Sequence, residues 1–149
     1  MGDEPQNEKL FSLTEAERTR HEVEPLLVEA MENRRKQSDL AESLGEIINR
    51  ILVMGGIQIP VEKTVRLRHE HDHLGAMVKA ALERIESTGC VVKDLDVGLL
   101  DFPARIDNQD VYLCWRVGED RIRFYHRQDE GFAGRKPLDP RDRNPDKIQ

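Results

Sequence analysis

The spacing of apolar residues changes partway along the chain. Leu26, Leu27, Ala30 and Met31, then Leu40, Leu44, Ile47, Ile48 and Ile51, recur at helical steps, as do Leu67, Leu74, Val78, Ala81 and Ile85. Steps of three and four place residues on one helical face. Past Gly98 the period becomes two: Leu100, Phe102, Ala104, Ile106; then Val111, Leu113, Trp115, Val117; then Ile122, Phe124. Such alternation marks strands with one buried face. The pattern predicts an α+β domain: a long antiparallel helical hairpin packed on a small antiparallel β-meander of three to four strands.

Boundary signals divide the chain further. Thr14 with Glu17 has capping-box spacing and opens a helix running from Glu15 to Met54. Pro25 lies inside it and either bends it or follows its true start. Gly55-Gly56 ends it, Pro60 starts a second helix over Val61–Ser87, and Thr88-Gly89 stops that one. So short a turn requires antiparallel packing, bringing Leu74 to the region of Ala41–Leu44. The overhang of the first helix, Leu26–Met31, is then placed to cover the sheet. Cys90–Lys93 is a further short strand. Residues 1–10 are expected to be flexible, and 11–137 to form one domain, with the hairpin over 14–88 and the sheet and glycine loop over 90–137. Residues 138–149, charged and proline-rich, read as a flexible tail.

Register follows from the turns. With Asn108-Gln109 and Glu119-Asp120 at the loop centres, Phe102 lies opposite Trp115, and Trp115 opposite Phe124, in an aromatic ladder on the core face. Asp101 then sits beside Arg116, and Arg116 beside Arg123, on the reverse, flanked by Tyr112 and Tyr125. His126 aligns with Ala104 and Leu113 on the core side. Pro103 cannot donate to a ladder, which makes its strand the edge. Phe132, in the loop Gly131–Arg135, is expected to anchor into the core.

Composition narrows the function. The 149 residues are 35% charged and carry a net charge of −6, against a general nucleic-acid surface. Residues 98–149 are balanced at ten acidic and ten basic side chains, so the excess lies in residues 1–97. No apolar run reaches the ~20 residues that span a bilayer, and MGDEPQNEK lacks a signal-peptide core. Cys90 and Cys114 are too few for a disulfide scaffold and read as buried thiols, which suits a reducing cytoplasm.

Candidate chemistry gathers on the reverse face of the sheet. Arg116 and Arg123 side by side need an anion between them, from Asp101, a partner's acidic side chain or an anionic small molecule. His126 is either a packed side chain or, as an imidazole, an acid/base or metal group with Glu119 or Glu130. Gly131–Arg135 offers backbone N–H groups and a guanidinium, without the length or Lys of a P-loop. The ligand-binding set is therefore Asp101, Arg116, Arg123, Glu119, His126 and Arg135. His69 and His73 share a helical face and are an alternative metal pair, although a third ligand must come from elsewhere. His71 falls on the apolar stripe. No nucleophile elbow, Walker loop or dinucleotide glycine run is present, and no cofactor is indicated.

LFSLTEAE near the start, with DFPAR, LCWRVGE, YH and GFAGR later, resembles bacterial domain-of-unknown-function family 2203 over about residues 10–138. The resemblance implies a helical hairpin plus sheet of prokaryotic cytosolic type with no agreed activity. It marks Asp101, Arg116, Glu119, His126 and Arg135 as polar positions of the shared segments. Two functions fit these readings. The first is a non-enzymatic binding or assembly module that forms homo-oligomers, most simply dimers, through the hairpin. The second is a small enzyme or ligand-binding domain for an anionic or metal-bound small molecule.

Overall fold

A computed structural model describes residues 9–55 and 60–138. Helix α1 spans Leu13–Met54, helix α2 Val61–Glu86, and five strands follow: β1 Val91–Asp94, β2 Leu99–Ile106, β3 Gln109–Arg116, β4 Phe124–Arg127 and β5 Lys136–Pro137. A 3-10 turn at Phe132–Gly134 separates the last two strands. The strands lie in the order β1-β2-β3-β4-β5, every neighbour antiparallel. This is the expected α+β hairpin on a meander, with one strand more than expected. Residues 1–8 and 139–149 of the expected flexible ends lie outside the described residues. Leu138 is buried, and its N–H donates to the Arg123 carbonyl.

The cap of α1 falls two residues before the expected one. Ser12, not Thr14, is the N-cap and accepts from the Glu15 N–H at 3.1 Å. Glu17 is thereby freed to accept from the Ile122 N–H across the fold. The helix continues through Pro25 and ends on Gly55 at φ 70°, a left-handed cap that glycine adopts without strain. Along the hairpin Gly75 faces the Gln37 side chain, about one turn nearer the start of α1 than the expected meeting of Leu74 with Ala41–Leu44.

The division of labour along α1 matches the two apolar clusters. Val23, Leu27 and Ala30 are buried, and Val23 and Leu27, with Leu26 and Met31, pack on the sheet core of Leu100, Phe102, Leu113 and Trp115. Farther along, Leu40, Leu44, Ile47 and Ile51 are half-buried. Phe11 closes the other side edge-on to Phe102, ring centres 5.4 Å apart, while its N–H donates to the Pro103 carbonyl. β2 is therefore not an edge: β1 pairs with it from Leu99 to Asp101, and Pro103 falls just beyond, where a missing N–H costs nothing.

Both register expectations shift. The β2–β3 turn is centred on Asp107-Asn108, with φ of 50° and 64°, the conformation of a type I′ hairpin. Phe102 thus pairs with Leu113, and Trp115 with Leu100. Two residues of slip preserve the faces, so Trp115 is fully buried while Arg116 is exposed on the reverse. The β3–β4 connection is not a tight hairpin but residues 117–123. Trp115 Nε1 donates to the Glu119 carbonyl at 3.0 Å, and Ile122 enters the core. Here the slip is one residue, which exchanges the faces of β4. Phe124 pairs with Cys114 on the outer face, Tyr125 joins the core side, and the aromatic ladder is not formed.

Candidate functional site

The exchange of faces in β4 assembles a polar cluster on the outer side of the sheet. Asp101 on β2 pairs directly with Cys114 on β3, and His126 on β4 stands one pair along, opposite Tyr112. The Asp101 carboxylate, the Cys114 thiol and His126 Nε2 lie within 4.8 Å of one another. All three residues are buried, at 1%, 2% and 2% exposure. Nε2 is 3.0 Å from Asp101 Oδ1, and Nδ1 is 2.8 Å from the Arg127 carbonyl oxygen. A carbonyl only accepts, so Nδ1 carries a hydrogen. A proton or a cation must then lie between Nε2 and the carboxylate. The Tyr112 ring tilts against the imidazole, with centres 5.5 Å apart.

A second layer flanks the cluster. Arg135 donates to both Glu119 oxygens at 2.8 and 3.0 Å, and its guanidinium stacks on Phe124 at 3.9 Å and Phe132 at 4.6 Å. Its Nε is buried without a hydrogen-bond partner. Glu119 also accepts from the Arg116 backbone N–H at 2.7 Å. Burial, and next the Asp101 charge, push the Cys114 thiol up to about 12, whereas Arg135 opposes the rise. Such a thiol is no nucleophile at neutral pH.

Of the expected set, Asp101 with His126 and Glu119 with Arg135 therefore form two adjoining pairs. Arg116 and Arg123 do not stand opposite each other. Arg123 precedes β4 and bonds Asp120 at 2.9 Å, holding that carboxyl below its ordinary range. The Arg116 side chain is exposed. Phe132 is 40% exposed and covers Arg135 instead of entering the core. Cys114 is the residue that sequence reasoning left out of the site; its direct alignment with Asp101 needed the true β2–β3 register.

On the hairpin, His69 and His73 are exposed and belong to no three-donor group among the described residues. His71 is half-buried beside Asp72, 3.0 Å from its carboxylate. The far end of the hairpin exposes Ile48 (57%), Leu52 (77%), Val61 and Val65 (both 60%). No helix among the described residues is long and apolar enough to cross a membrane.

These features define a class: an α+β domain whose hairpin covers one sheet face, with a buried Asp–Cys–His cluster on the other. Residues 9–138 match the family described as uncharacterized conserved protein (DUF2203), and the chain belongs to that family. No curated protein and no solved structure matches it.

Proposed function

We propose that this protein is an assembly module that pairs with a second copy of itself through one side of its hairpin. The observation that carries the reading is a second apolar stripe, distinct from the seam between the helices. On α1 the seam is Leu40, Leu44, Ile47 and Ile51; Ala41, Gly45, Ile48 and Leu52 repeat the same spacing about a quarter-turn away, at ~100° per residue. On α2 the seam runs through Leu67, His71, Leu74 and Val78, and Val61 and Val65 are rotated off it in the same sense. In antiparallel helices, equal rotations in one sense put both sets on the same side of the hairpin. The other side carries Glu46, Arg50, Arg66 and Glu70.

A stripe with this repeat is the seam of a bundle. A Cβ on Gly45 would meet nothing within 4 Å in the single chain, so internal packing does not require glycine there. A small residue is what close approach of another helix needs. Two hairpins related by a twofold axis bury the same stripe on each, giving a four-helix bundle with the two sheets at its ends. Light scattering on Ile48→Glu/Leu52→Glu tests this: half the wild-type mass is expected, with unchanged near-ultraviolet circular dichroism. Equal masses for the two proteins would overturn it.

A further inference from the structure

We infer that Asp101, Cys114 and His126 form a binding site for a divalent metal ion of the zinc type. The inference is independent of the assembly reading, because the cluster lies on the sheet face away from the hairpin. Its basis is a convergence of three metal-binding atoms from three different strands, all buried and within 4.8 Å of one another. One carboxylate, one thiol and one imidazole have no shared structural purpose that apolar packing would not serve better. Together they are a set of zinc ligands.

The orientation of the histidine is the second support. Its Nδ1–H is committed to the Arg127 carbonyl at 2.8 Å, which leaves Nε2 turned toward the carboxylate and thiol. Metal-bound histidines are held in this way, the far nitrogen fixed by a backbone or carboxylate acceptor. Charge also balances, since a thiolate and a carboxylate match one divalent cation. The thiol excludes magnesium and calcium as preferred occupants and selects zinc, cobalt or cadmium. On binding, the sulfur–hydrogen bond is replaced by a metal–sulfur bond, and that proton passes to solvent with the one between Nε2 and Oδ1.

Three protein donors leave one tetrahedral position for a solvent or ligand atom, the donor count of zinc sites that carry out chemistry. Glu119 does not take that place, because Arg135 and the Arg116 N–H hold both of its oxygens. The rival account is that protons alone bridge the cluster and no metal enters.

Cobalt(II) titration of the full chain, purified with chelator and under reducing conditions, separates the two. A thiolate-to-cobalt charge-transfer band should rise to saturation at one equivalent and disappear on adding zinc. It should be absent in Cys114→Ser and retained in Cys90→Ser. Asp101→Asn provides a second variant should Cys114→Ser fail to fold, and is expected to weaken cobalt binding at least tenfold. Cobalt held by the exposed His69 and His73 gives no thiolate band. A wild-type protein without the band, or a band that survives Cys114→Ser, overturns the inference.

Discussion

Truncating Leu27 is the sharpest test of the architecture, because it separates the two halves of one helix. Leu27 is fully buried where α1 crosses the sheet, whereas Leu52, 25 residues along the same helix, is 77% exposed. Leu27→Ala removes three carbons from the core, roughly 2.4 kcal/mol at about 0.8 kcal/mol per carbon. A residual cavity of ~50 Å³, at about 24 cal/mol per Å³, adds about 1 kcal/mol. The expected loss is about 3.5 kcal/mol, or a Tm lower by roughly 11 °C for a domain of this size. Leu52→Ala in dilute solution should stay within about 0.5 kcal/mol of wild type, as exposed positions do. Urea titration followed by fluorescence reads both variants, since Trp115, the single tryptophan, is fully buried and reports on the sheet core. A Leu27→Ala loss under 1 kcal/mol, or equal losses at the two positions, would mean that the amino-terminal part of α1 does not cover the sheet.

Two further outcomes follow from local geometry. Gly98 sits at φ +74°, and a Cβ there would come within 2.6 Å of Val117 Cγ2 and 3.0 Å of Met31 Sδ. Gly118, at φ +103°, has nothing within 4 Å. Gly98→Ala should therefore cost about 1–3 kcal/mol more than Gly118→Ala in the same urea titration, the difference being the clash without the shared backbone strain; equal losses would contradict it. At high pH the thiols decide the sign. Burial raises Cys90 and takes Cys114 from 9.0 to about 12. Their contribution is complete below the unfolded value and is lost as pH rises through the folded one. Metal-free protein should lose stability above pH 9, with Cys114 contributing on the order of 4 kcal/mol by pH 12, and Cys114→Ser should flatten the curve. A wild-type profile unchanged by that substitution would contradict the thiol's burial.

Much of the fold was legible because period and turn chemistry are local. The shift from helical to alternating spacing, Gly55 as a cap and the sidedness of β2 and β3 all follow from neighbours in sequence. Even a misplaced turn centre at Asn108-Gln109 left the faces intact, since the error was even. The β3–β4 connection was different. Its length is set by Ile122, whose side chain enters the core while its N–H is held by Glu17, 105 residues earlier. Nothing near Glu119-Asp120 announces that contact, and a single residue of slip moved His126 from the expected core face to the side of Asp101. The cluster was hidden for the same reason. Asp101, Cys114 and His126 are spaced 13 and 12 residues apart, unlike the short steps of a helical metal motif such as His69 and His73. Only strand pairing brings them together.

The assembly reading rests on one quantity, the mass of the particle in solution. Sedimentation equilibrium of the full chain, from low to high micromolar concentration, measures it directly. The stripe of Ala41, Gly45, Ile48 and Leu52 predicts a reversible monomer–dimer equilibrium that reaches twice the 17.2 kDa chain mass. A single species at the chain mass across the whole range would contradict it.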